Sequence, residues 1–143
     1  MNKIRLFYLI SSVLVFGIGV CVYILFRDNN HLLIIKRIPL LEFTNNVYVE
    51  LKPSFLSNVL RYNIPDMFWF VSGILLLRFI WFLENKEQKI YLFCFYLTGA
   101  VFEVSQLLKI IPGTFDFLDL LFMGIGALVE ILLYNNYIKR RMR

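Results

Sequence analysis

The stretch over residues 6–26, LFYLISSVLVFGIGVCVYILF, holds no Asp, Glu, Lys, Arg or His. A helix of that length reaches about 30 Å, the thickness of a bilayer's hydrocarbon core. Three more apolar runs follow, over 64–83, 90–111 and 117–134. Unlike the first, each of these three contains charged residues. The chain as a whole is 59% hydrophobic and 17% aromatic over 143 residues. A soluble domain of that size has too little interior to hide so much apolar surface. The expectation is one all-α integral membrane domain over 1–143, with four transmembrane helices and no internal repeat.

The net charge of +5 does not point to nucleic acid. The basic residues sit mostly at the ends of the apolar runs, where they report membrane orientation. Lys3, Arg5, Lys86, Lys89, Lys139, Arg140, Arg141 and Arg143 fall on the side that holds both termini and the link at 84–89. Arg27, Lys36, Arg37, Lys52 and Arg61 are spread over the longer loop on the other side, and the turn at 112–116 has neither Lys nor Arg. The positive-inside rule places both termini in the cytoplasm. Lys3 and Arg5 precede the first run as in a signal peptide, but that run is long and lacks an A-x-A-like end, so it reads as an uncleaved helix. Cys21 and Cys94 then lie at heights differing by about 15 Å, too far apart for a disulfide.

The loop over 27–63 is too apolar for a flexible linker. Ser54 can cap a short helix with Phe55, Leu56, Val59, Leu60 and Tyr62 on one side, lying along the outer membrane surface. His31 stands alone, without metal-ligand spacing, and reads as a surface histidine.

Polar residues collect around the last hairpin. Pro112 and Gly113 are expected to break the third helix, and Asp116 or Thr114 to cap the fourth. Glu103 and Gln106 share an i, i+3 relation on the third helix, as do Asp116 and Asp119 on the fourth. Glu103 lies roughly 12 Å inside its span, where an ionised carboxylate does not face lipid. Arg61, Tyr62, Asn63 and Asp66 lie at the outer start of the second helix, around Pro65. Arg61 and Lys109 are the available counter-charges. The sequence thus assembles a ligand-binding candidate from Glu103, Gln106, Asp116, Asp119, Asp66, Arg61 and Lys109 near the outer interface. Nearer the inner side, Arg78 and Glu130 sit at matched depth and read as a structural ion pair. Gly124 and Gly126 allow close helix packing.

No phosphate loop, His–Glu metal pattern or serine triad is present. Histidine and cysteine are too few for a metal site, and no cofactor is implied. With no evident nucleophile, binding is favoured over hydrolysis. The polar set suits a head group, a sugar, a peptide stem or a cation.

The hairpin resembles the VanZ-like family of small bacterial membrane proteins. That family carries E-x-x-Q on one helix, a turn with proline or glycine, an aspartate-bearing helix start and a downstream glycine. The matching residues are Glu103–Val104–Ser105–Gln106, the turn Pro112–Gly113–Thr114–Phe115–Asp116, then Asp119 and Gly126. They cover about the last third of the chain. Thr114 stands where the family often has arginine, and Met123 where it often has asparagine, so this chain resembles a divergent member. The resemblance implies a bacterial inner-membrane protein that meets a lipid-linked or glycopeptide envelope ligand at its outer face. The family is associated with reduced susceptibility to teicoplanin-type lipoglycopeptides. The competing expectation is a non-catalytic subunit that sets helix register in a larger membrane complex or homo-oligomer. An enzyme acting on a lipid head group and a transporter are weaker alternatives.

Overall fold

The computed structural model describes residues 3–26, 49, 51–81, 86–112 and 114–135. His31, Gly113, the basic C-terminal tail and most of the long loop lie outside the described residues. What is described is helical, with no strand. Helix α1 is Lys3–Phe26, α2 is Phe55–Asn58, α3 is Ile64–Ile80, α4 is Lys86–Leu107 and α5 is Phe117–Leu133. Among the described residues, three helices are long and apolar enough to cross a membrane: Lys3–Phe26, Phe55–Ile80 and Lys86–Leu107. Helix α5 has 17 residues. At about 1.5 Å per residue it reaches roughly 25 Å, a little short of the hydrocarbon core.

The second membrane helix begins earlier than its apolar run suggests. Ser54 starts it with a capping box: its hydroxyl accepts from the Ser57 backbone, and the Ser57 hydroxyl accepts from the Ser54 N–H. Helix α2 does not form a separate surface helix, however. It continues through a π-helical turn over Val59–Asn63 straight into α3. Ile64 N–H bonds to the Val59 carbonyl, five residues back, which defines that wider turn. Pro65 fits because the first turn of a helix needs no donor there.

The third apolar run also ends differently. Pro112 does not stop α4, which closes at Leu107. Lys109 adopts φ 56°, Ile110 N–H bonds to the Ser105 carbonyl at 2.8 Å, and Lys109 N–H bonds to the Gln106 carbonyl at 2.9 Å. This is a Schellman cap, with lysine in the left-handed position usually given to glycine. Leu108, Ile110 and Ile111 keep the sequence apolar past that point, so hydropathy alone overruns the helix end.

Helix α3 lies at the centre, with α1, α4 and α5 all packed on it. Helices α1 and α4 run antiparallel to α3, and α5 runs parallel to it. Phe70, Ile74 and Leu92 form the buried core, with Leu77, Phe95, Tyr96, Met123 and Ala127 against it. Phe70 and Phe95 stack at 5.2 Å. Polar bonds fasten α1 to α3. The Ser12 hydroxyl donates to the Ser72 carbonyl at 2.9 Å, and the Ser72 hydroxyl donates to the Ser12 carbonyl at 3.1 Å. Arg5 Nε donates to the Phe79 carbonyl at 3.0 Å and its guanidinium lies over the Phe79 ring. Such bonds hold where no water competes for the same groups. Gly126 packs tightly on α3, whereas Gly124 faces open space. Both cysteines are free thiols, exposed on helix faces rather than buried as small hydrophobes.

Candidate functional site

The end of the bundle where α3 and α5 begin and α4 ends carries a polar network from three helices. Asn63 is its hub and is 2% exposed. The side-chain amide donates to Asp119 Oδ1 at 2.6 Å and to Asp116 Oδ2 at 3.3 Å. Asp116 caps α5 by accepting from Leu118 N–H at 2.9 Å on its other oxygen. The Asp116 N–H in turn donates to Glu103 Oε2 at 3.1 Å. Glu103 is 5% exposed and projects from α4 toward the turn. Three carboxylates and one amide are therefore joined in a single chain of bonds.

Each placement has a local cause. Asp116 is extended, at φ −129° and ψ 114°, as a side-chain N-cap requires. Asp119 follows one turn later, where the positive end of the helix dipole favours an anion. Asn63 is the last residue of the π-helical turn. The extra residue in that turn alters the rotation of the helix as it enters α3, and π-turns recur at functional sites for this reason. Sequence reading placed Asn63 among the polar residues at a helix start but did not single it out. A polar residue at a helix start is common, and only the π-turn distinguishes this one.

The other candidates divide. Gln106 is half-buried, and among the described residues its side chain makes no hydrogen bond. Asp66 stands in the first turn of α3, one turn past Asn63, and is half-buried. Arg61 and Lys109 were the expected counter-charges, and neither pairs with the acids. Lys109 is exposed, committed to the helix cap by its backbone, and makes no ion pair among the described residues. Arg61 is half-buried, and its Nε is enclosed without a partner among the described residues. No three of His, Cys, Asp and Glu among the described residues form a group able to hold a metal ion.

Arg78 and Glu130 meet near the opposite end of α3 and α5. Their contact is bidentate: Nε pairs with Oε1, and Nη2 donates to Oε2 at 3.1 Å. Both side chains are buried, and the Tyr134 ring lies 3.8 Å from the guanidinium carbon. The planar fork of arginine matches a carboxylate in this way, and the aromatic face adds a cation–π contact. Glu130 lies eleven residues after Asp119, or about 16 Å along α5. Polar groups thus hold the α3–α5 pair near both ends.

Chemically, this network presents carboxylate oxygens and little else. Its one amide donor is already spent within the cluster. It suits a ligand that brings its own donors, such as hydroxyl, amide or ammonium groups. No family model, curated protein or solved structure matches the chain.

Proposed function

We propose that this chain is a VanZ-like bacterial inner-membrane protein, with both termini in the cytoplasm and α5 completing a fourth span. In that orientation the Asn63–Asp116–Asp119–Glu103 network lies near the outer interface. It engages a lipid-linked or glycopeptide component of the cell envelope, and no covalent chemistry is required of it. The observation that carries this reading is the Asn63 amide held between Asp116 and Asp119, with Glu103 closing the chain of bonds. A buried carboxylate such as Glu103 is costly inside a bilayer, and an ionisable group at that depth marks a functional site by default. Sugars and peptide stems supply the donors that the cluster lacks. Half-buried Gln106 stands three residues from Glu103 and offers an amide to the same ligand.

The test is lipoglycopeptide susceptibility in cells carrying the parent chain, Glu103→Gln, Asp119→Asn or a deletion. Loss of protection in both variants at parental protein levels supports the reading. Equal susceptibility across all four strains overturns the protective version. The second reading is a non-catalytic assembly subunit. It is favoured by the fact that the cluster's groups bond to one another across three helices, as residues that merely set register would. A stoichiometric partner recovered in mild detergent supports it, and an isolated monomer argues against it. A reporter fused after Arg143 tests the orientation: activity outside the cytoplasm would invert it.

A further inference from the structure

At the end of the bundle opposite the acidic network, a pocket of about 260 Å³ opens between α4 and α5. Arg78, Gln88, Lys89, Tyr96 and Asn135 supply its polar lining, and Leu92, Phe93 and Ile131 its apolar wall. Two nitrogens of Arg78 are taken by Glu130. The third, Nη1, has no hydrogen-bond partner among the described residues and is not sealed off from its surroundings. Arg78 is itself 5% exposed, so this nitrogen is a buried guanidinium's remaining donor edge. Lys89 is exposed and makes no ion pair among the described residues. Glu130 cancels the charge of Arg78, which leaves Lys89 unbalanced. The nearby acid Glu87 is exposed on α4 and does not line the pocket. Lys89 also lies in the first turn of α4, where free N–H groups and the helix dipole favour an anion.

From this we propose that the pocket binds the head group of an anionic phospholipid, with its phosphate between Arg78 Nη1 and Lys89 and its acyl chain along Phe93 and Ile131. Three features favour a lipid. Arg78, Gln88, Lys89 and Asn135 each lie within about one turn of a helix end, which places them at head-group depth. One of its lining residues, Phe93, is 62% exposed on a long apolar helix. Basic pockets between membrane helices are suited to anionic head groups by charge and by position. Gln88 is held in place by donating to the Trp81 carbonyl, so the α4 start is fixed against the end of α3 before any lipid arrives. Asn135 adds an amide at the mouth. This site is separate from the acidic network and does not depend on its function. In the orientation proposed above it opens to the cytoplasmic leaflet.

The test uses the full chain in a neutral detergent, followed by thermal unfolding with increasing dioctanoyl phosphatidylglycerol. A ligand that binds only the folded state raises the midpoint with the logarithm of one plus its concentration over Kd, so the titration yields its Kd. Phosphatidylglycerol is expected to stabilise at lower concentration than dioctanoyl phosphatidylcholine. Lys89→Gln should raise the half-saturating concentration roughly fivefold, the weight of one basic side chain near a membrane surface. Lys89→Arg should retain parental binding. Lys89 is exposed, so its variants fold like the parent. Equal stabilisation by the two lipids, or an unchanged response in Lys89→Gln, would overturn the proposal. Stabilisation by inorganic phosphate alone, at matched ionic strength, would overturn the lipid assignment.

Discussion

A methyl group added at Gly126 should cost far more than one added at Gly124, although the two glycines are one residue apart. A Cβ at Gly126 would lie 2.6 Å from Val71 Cγ2 and 3.1 Å from Met67 Cγ. Carbon atoms pack best at about 3.5–4.0 Å, so the valine contact is short by roughly 1 Å. Met67 can move aside, because methionine has several soft torsions. Val71 cannot, because a β-branched residue in a helix has one strongly preferred χ1. The strain must then separate α5 from α3, and overpacking of this kind costs about 1–3 kcal/mol. At Gly124 an added Cβ meets nothing within 4 Å. Both substitutions gain the same helix preference of alanine over glycine, about 1 kcal/mol. Comparing Gly126→Ala with Gly124→Ala cancels that gain and isolates the clash. The assay is unfolding in mixed micelles at increasing SDS, followed by circular dichroism. Gly126→Ala should be the less stable of the two by about 1–3 kcal/mol. Adding Val71→Ala to Gly126→Ala should recover part of the loss, a coupling that independent sites would not show. Equal stability of the two glycine variants would refute this account of α3–α5 packing.

The same unfolding assay checks three further outcomes. Glu130→Ala leaves the buried Arg78 charge uncompensated and should cost about 3–5 kcal/mol, whereas replacing both residues by methionine should restore most of it. Asn63→Ala removes the donor shared by Asp116 and Asp119 and should cost about 1.5–3 kcal/mol, as expected for hydrogen bonds to charged groups. Lys109→Gly should stabilise by about 1 kcal/mol, because glycine occupies the left-handed cap position without the Cβ penalty; an unchanged midpoint would argue against that cap.

The helices were legible because length and hydropathy determine them almost alone. Ser54 and Asp116 were legible as caps because their side chains act locally, on N–H groups two or three residues away. Matched distance from the helix ends was enough to suggest Arg78 opposite Glu130. The losses came where geometry departs from the regular repeat. The π-turn over Val59–Asn63 has no sequence signal, and it is what makes Asn63 the hub rather than a helix-start residue. The end of α4 was missed because Lys109 takes a conformation normally flagged by glycine, while Pro112 gave a stronger but later stop signal. Arg61 and Lys109 were assigned to the acids by charge and proximity in sequence. Neither reaches them, since the cap exposes Lys109 and the Arg61 guanidinium makes no ion pair among the described residues.

A π-turn is what remains when one residue is inserted into an α-helix without disturbing its flanks. The turn at Val59–Asn63 therefore works as a length adjuster at the head of the central helix. Deleting Leu60 would restore the ordinary repeat, turning the Phe55–Asn58 segment by about 100° while leaving Ile64 and all below it in register. A one-residue change there would thus be absorbed before α3 begins, at the expense of the Phe55–Asn58 segment and of where Asn63 points. A single codon there separates a helix that merely enters the membrane from one that delivers an amide to two aspartates.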